Sequence, residues 1–281
     1  MPSLAKIAKI ARTFSRDEGD SLIQRASAKN IIGFFGPCEN SGTTSLLAHV
    51  AEALHGPTTP VVIIDLNFKL PTVYSYFVDE IDPKRSILRK LKTPIFDTQE
   101  LVNAKDLGDV GVVSMTGGEV PADYCSVEDK IIINIIKELA TRYAYVLIDL
   151  GNDLNADATL IGLRECHYVY TCVRPVAKQI EHLMIDREVM NNIGYKNLIY
   201  DVIQTNVIGN SYTPAEFKSD IGMNLIGNIP QDYELMVAFD NQNFVSTRLK
   251  SRNVKQFYGI VDTIAKSIVE MRNDTLGKVE E

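Results

Sequence analysis

Residues 31 to 44 read Ile31-Ile32-Gly33-Phe34-Phe35-Gly36-Pro37-Cys38-Glu39-Asn40-Ser41-Gly42-Thr43-Thr44, an apolar run that enters a small-residue turn and leaves it through two threonines. The run predicts a buried strand. Beyond it, Leu46, Leu47, Val50, Ala53 and Leu54 form one helical face, and His55-Gly56-Pro57 supplies the stop. Strand, turn and helix start in this order are the parts of a phosphate-binding loop. Such a loop needs glycines so that backbone N–H groups converge on anionic oxygens, a lysine for the terminal phosphates, and a hydroxyl for magnesium. Thr43 supplies the hydroxyl, but the lysine position holds Gly42.

Outward from this stretch the chain alternates. Val61 to Asp65, Val110 to Met115, Tyr145 to Leu150, Tyr168 to Val173, Leu198 to Asn206 and Leu225 to Ile229 are short β-branched or apolar runs, most of them separated by helix-length segments. With Ile31 to Phe35 they predict a doubly wound α/β fold, a mostly parallel sheet of about seven strands with helices on both faces. Ser126 with Asp129 resembles a capping pair ahead of Ile131, Ile132, Ile135, Ile136, Leu139 and Tyr143. Val254, Phe257, Val261, Ile264, Ile268 and Met271 mark a last amphipathic helix.

Length and composition set the frame. A chain of 281 residues, 45% hydrophobic and 23% charged, buries an ample core, and a net charge of -7 argues against a surface that wraps nucleic acid. Cys38, Cys125, Cys166 and Cys172 have no metal-site spacing, and no apolar run spans a membrane, so a cytoplasmic protein with reduced thiols is expected. Residues 1–29 are expected as a basic amphipathic segment. In it Leu4, Ile7, Ala8, Ala11 and Phe14 recur at helical spacing, and Lys6, Lys9, Arg12 and Arg16 face elsewhere. Residues 30–272 read as one domain and 273–281 as a disordered tail. The N-terminal segment reads first as a helix packed on the domain or a frayed end, and second as a peripheral membrane contact through residues 4–16.

In a doubly wound sheet the ligands lie beyond the carboxyl ends of the strands. Asp65 closes the second strand and Asp149 the fourth, each after a buried apolar run. A carboxylate there is costly to desolvate without a partner, and magnesium with its waters is such a partner. Capping the next turn is the plainer role for either residue, but two of them downstream of a glycine-and-threonine turn favour a nucleotide site.

At these residues the sequence resembles the MinD/ParA group of deviant-Walker P-loop ATPases, over about residues 30 to 272. The group's loop GKGGVGKTT aligns without a gap on Gly36-Pro37-Cys38-Glu39-Asn40-Ser41-Gly42-Thr43-Thr44. Asp65-Leu66-Asn67-Phe68-Lys69-Leu70-Pro71 resembles the segment after the group's second strand, and Tyr145 to Asp149 its Walker B strand. The resemblance implies adenine contacts at Asn206, Pro230 and Asp232, magnesium ligands Thr43, Asp65 and Asp149, and an ATP or ADP cofactor with Mg2+. It also implies a homodimer with nucleotide at its interface. Leu70-Pro71-Thr72 and the segment from Val112 to Pro121 are similar to the flagellar and Tad-pilus localisation members.

Three positions depart from the group. Pro37 replaces the deviant lysine that reaches the partner's phosphates, Gly42 the Walker lysine, and Asn67 an aspartate that orients the attacking water. Glu39 adds an anion inside the loop. Each lost charge-assisted hydrogen bond forfeits roughly 1.5–3 kcal/mol. Little or no hydrolysis is therefore expected, because phosphoryl transfer rests on positioning and charge stabilisation. A helix start and a backbone nest still attract anions, so weak nucleotide binding and an empty loop kept for its shape are equally open.

The sequence thus points to a spatial organiser or assembly scaffold that recruits partners to a pilus, secretion or similar machine. A slow ATPase, with a lysine such as Lys69 supplying the missing charge, is the enzyme alternative. A DNA-partitioning protein is the third, through Arg248, Lys250, Arg252 and Lys255, although charge runs are usually solvated faces. Cys38 reads as a small residue tolerated in the loop ahead of a sensitive thiol, and the four histidines as structural or surface residues.

Overall fold

The computed structural model describes residues 29–88, 97–106, 108–116, 129–192, 194, 199–209, 211–246 and 251–276. The segment 1–28, Ser126 of the expected capping pair, and Arg248 and Lys250 of the basic cluster lie outside these residues. The described elements run β1 (Ile31–Phe35), α1 (Thr43–Leu54), β2 (Val61–Asp65), β3 (Gly111–Val113), α2 (Asp129–Arg142), β4 (Tyr145–Asp149) and α3 (Asp157–Glu165). They continue β5 (Tyr168–Val173), α4 (Ala177–Asn192), β6 (Ile199–Val207), α5 (Pro214–Ile221), β7 (Asn224–Pro230), α6 (Tyr233–Asp240) and α7 (Arg252–Leu276).

The strands form one seven-stranded sheet in the order β3-β2-β4-β1-β5-β6-β7, and every pairing is parallel. Alternation along each strand explains why the central strands are apolar throughout. In β1, Ile31 and Phe35 join one core, and Ile32 and Phe34 the other. In β2, Val62 and Ile64 face the first, and Val61 and Ile63 the second. Buried side chains of α2, α3, α4 and α5 cover the first face, and those of α1, α6 and α7 the second. A strand covered on both faces has no solvent side to carry polar residues.

The boundaries shift from the sequence expectation where tertiary contacts act. β3 is shorter than the expected Val110 to Met115 because it sits at the edge of the sheet, paired to β2 on one side and to a single antiparallel bridge at Asn103 on the other. α7 runs on to Leu276, so residues 273–276 of the expected tail are helical. Its last turns are tied down: Met271 packs on the second core, and the Arg272 guanidinium lies 5.2 Å from the centre of the Tyr145 ring.

His49 of α1 is a structural residue, as expected. Its Nε2 accepts from the Val245 N–H at 3.0 Å and its Nδ1 donates to the Ser45 carbonyl at 2.7 Å. The rings of Tyr76, Phe239, Phe244, Phe257 and Tyr258 meet it edge-on. Among the described residues no helix is long and apolar enough to cross a membrane.

Candidate functional site

Strand order builds the site. β4 lies between β1 and β2, so the turns that leave these three strands share one carboxyl edge. The β1 loop is tied to the turn after β4 by the Gly36 N–H, which donates to the Gly151 carbonyl at 3.2 Å. The turn after β2 leans on the same place, with Asn67 beside Gly151. From the other side, the Thr205 hydroxyl at the end of β6 donates to the Ser41 carbonyl at 2.7 Å.

Within the loop, Asn40 and Gly42 take left-handed conformations, at φ 58° and 81°. Gly42 is the N-cap of α1, and its carbonyl accepts the Leu46 N–H at 3.1 Å. A lysine there would have to adopt a backbone that side-chain-bearing residues avoid. The Ser41 and Thr43 hydroxyls bond each other at 2.8 Å. The Ser41 Oγ also lies where a Cβ on Gly36 would sit, 2.0 Å from that position. The Ser41 and Thr43 hydroxyls thus engage one another.

The two strand-end aspartates are adjacent, Asp65 opposite Asp149 in the β2–β4 register, and both are buried. Asp65 accepts from the Asn67 N–H at 3.0 Å and the Ser114 hydroxyl at 3.3 Å. Asp149 accepts from the Thr44 hydroxyl at 2.7 Å and the Gly151 N–H at 3.0 Å. Burial, and next the charge of Asp149, hold the Asp65 carboxyl well above the usual carboxylate range. Asp149 is raised by burial too, against the pull of its two donors. Thr44, rather than Thr43, is the hydroxyl in contact with this pair.

The mouth of the loop carries charge. Lys69, in the turn after β2, donates to Glu39 at 2.8 Å, and both side chains are exposed. Cys38 lies 3.5 Å from the Nδ1 of His182 on α4. Its thiol is pushed up by burial and by Asp186, which is the opposite of an activated thiolate. Asp186 is itself raised to about 7 by burial and the nearby Asp153.

The structure brings together the candidates Gly36 to Thr44, Asp65 and Asp149, and it places Asn206 next to Thr205 with a left-handed φ of 52°. Pro230 ends β7 opposite Val207. Asp232 serves as the N-cap of α6, its Oδ1 accepting the Glu234 and Leu235 N–H groups and its Oδ2 the Asn253 amide. Ser114 and Thr205 join the site although no motif marks them in the sequence. Thr205 alone left a signal, as a hydroxyl residue beside Asn206. Among the described residues, no group of three or more His, Cys, Asp or Glu side chains has the arrangement of a metal site.

No protein-family model and no curated protein matches the chain. Solved structures do. The ParA family ATPase from Chlorobium tepidum has a TM-score of 0.66 at 17% identity, covering 84% of this chain and 97% of that one. The septum site-determining protein MinD from Pyrococcus horikoshii, complexed with Mg-ADP, gives 0.68 at 15%, covering 84% and 95%. A chain of the MinC:MinD cell division protein complex of Aquifex aeolicus gives 0.64 at 14%, over 84% and 95%. The chain has the fold of the MinD and ParA P-loop ATPases.

Proposed function

We propose that the chain is a member of the MinD/ParA group that works as a spatial organiser or assembly scaffold. It pairs with a second copy and docks protein partners of a pilus, secretion or similar machine, with weak nucleotide binding or none and little hydrolysis. One observation carries this reading: the framework is kept while the loop's hydroxyls are held within the protein, Ser41 on Thr43 and Thr44 on Asp149, with no lysine inside the loop.

Exposed apolar side chains support the docking role. Leu70, Val176, Ile208 and Tyr233 follow β2, β5, β6 and β7 at the carboxyl edge and are 64%, 45%, 70% and 79% exposed. Exposed apolar side chains on neighbouring strand ends, as Val176, Ile208 and Tyr233 are after β5, β6 and β7, suit an interface. The MinC:MinD complex of the Aquifex neighbour is a precedent for a partner on this fold.

The residues present fit a weakly held Mg-nucleotide. The loop N–H groups and the Ser41 and Thr43 hydroxyls are donors an oxyanion can take over, and Asp65 and Asp149 are carboxylates a hydrated cation would relieve. Such a cation, when bound, neutralises phosphate charge. The chain's own residues would orient the phosphates, and Asn67, which stands after β2 where the resemblance implies an aspartate, supplies no base for an attacking water.

Mass photometry of the full chain with and without Mg-ATP tests the reading, alongside the Ile208→Asp/Tyr233→Asp variant and a phosphate-release assay. A dimer that the variant converts to monomer, with release at background, is the expected result. A native monomer at all concentrations, or phosphate release abolished by Thr43→Ala, overturns it.

A further inference from the structure

We infer that Lys69 is the residue that gives this loop its affinity for a diphosphate group, and that Glu39 is an internal competitor which holds the ammonium until such a group arrives. The inference rests on the nucleotide part of the proposed function and names the residues that set it.

Lys69 is bonded directly to the loop. The two loop positions where a lysine would face phosphate hold Pro37 and Gly42, so the charge has to come from another element. The turn after β2 is closed on itself, the Leu70 N–H donating to the Asn67 carbonyl at 3.1 Å and the Asn67 N–H to Asp65 at 3.0 Å, and it touches the turn after β4 where Asn67 packs beside Gly151. Gly151 in turn accepts the Gly36 N–H. The backbone that carries Lys69 is thereby tied to the first residue of the loop, and its ammonium already reaches the loop at Glu39, 2.8 Å away.

Chemistry supports an exchange of partners. The Lys69 and Glu39 side chains are 72% and 67% exposed, and an exposed pair of this kind is weak and screened by salt. A lysine is a point charge on a flexible four-carbon stem, free to turn from a carboxylate to a nearby oxyanion. A diphosphate presents more charge than one carboxylate and has the loop N–H groups and the start of α1 as further donors. Glu39 both occupies Lys69 and repels the incoming anion, so its removal acts twice in the same direction. The Lys69 pKa is raised, by Glu39 first and by Asp153 least.

The test is isothermal titration of the full chain with ADP, and separately with inorganic pyrophosphate, at fixed Mg2+ and two salt concentrations. The variants are Lys69→Ala, Lys69→Arg and Glu39→Gln, with circular dichroism to verify folding of these exposed-site changes. The expected result is a loss of about tenfold in Lys69→Ala, near-native binding in Lys69→Arg, tighter binding in Glu39→Gln, and a salt slope that shrinks in Lys69→Ala. Pyrophosphate binding as well as ADP shows that the diphosphate is what is read, whereas ADP alone shows that the base is required too; Lys69 dependence supports the inference in either case. Equal affinity of native and Lys69→Ala overturns the inference while nucleotide binding stands. A native chain that binds neither ligand also overturns it, yet leaves the scaffold reading intact, because pairing and docking are measured without nucleotide.

Discussion

Asp65 and Asp149 stand opposite each other at the carboxyl ends of β2 and β4, both buried, each satisfied by hydroxyl and N–H donors. Two carboxyls so placed hold protons more tightly folded than unfolded, because burial opposes the ionisation of both and the charge of Asp149 adds to it at Asp65. In the absence of metal, stability therefore falls as pH rises from the unfolded carboxylate pKa through the raised folded values.

Asp65→Asn removes one buried titrating carboxyl while its carboxamide oxygen can still accept the Asn67 N–H. The expected outcome at neutral pH without metal is a gain of about 1 kcal/mol, or roughly 2–4 °C in Tm for a domain of this size. Differential scanning fluorimetry across pH reads both the gain and a flatter pH slope. A lower Tm at neutral pH would show that the pair is not strained.

Gly36→Ala places a methyl 2.0 Å from the Ser41 Oγ and 2.6 Å from the Thr43 Oγ1. Overpacking of this kind costs roughly 1–3 kcal/mol. Adding Ser41→Gly to the same chain should return most of the loss, and a double-mutant cycle by urea unfolding measures the coupling. Additive effects would mean that the Ser41 hydroxyl does not fill the loop.

Gly42→Lys restores a Walker lysine by name but not by geometry. At φ 81° the new side chain is strained, and its Cβ meets the Thr205 side chain at 3.5 Å. A loss of about 1–2 kcal/mol is expected from the left-handed backbone, with no rise in phosphate release. Thermal unfolding and a coupled phosphate assay check the two halves.

His49 titrates low, at about 4, because burial disfavours its charged form. The unfolded imidazole takes its proton near 6.5, so between that pH and 4 the unfolded state binds more protons, and stability is lost as pH falls. The full window is worth roughly 3 kcal/mol. Urea unfolding at pH 7, 6 and 5 should show the slope, and His49→Gln, which keeps an acceptor for the Val245 N–H, should flatten it.

Much of the architecture was legible because it is written in local periodicity. The apolar runs at Ile31, Val61, Tyr145 and Tyr168 are unbroken, as strands buried on both faces are, and the helical faces of α1 and α7 repeat about every four residues; both patterns are read without knowledge of any partner. The misjudged ends are the places where a contact distant in sequence acts, such as Arg272 on Tyr145. Asp232 shows the same limit within the site: its capping role depends on α6 beginning at the next residue and on Asn253 approaching from α7.

The sequence by itself determined a parallel sheet with a phosphate-type loop after its first strand, two acidic strand ends and no loop lysine. Only the tertiary structure decided what those groups touch. Inserting β4 between β1 and β2 sets Asp149 beside Asp65. It also lays the β2 turn over the loop, so that Lys69 meets Glu39 from 30 residues away, while Thr205 holds Ser41 from 164 away. Strand order is fixed by which buried faces fit together across the whole domain, and side-chain spacing along the chain carries no record of it.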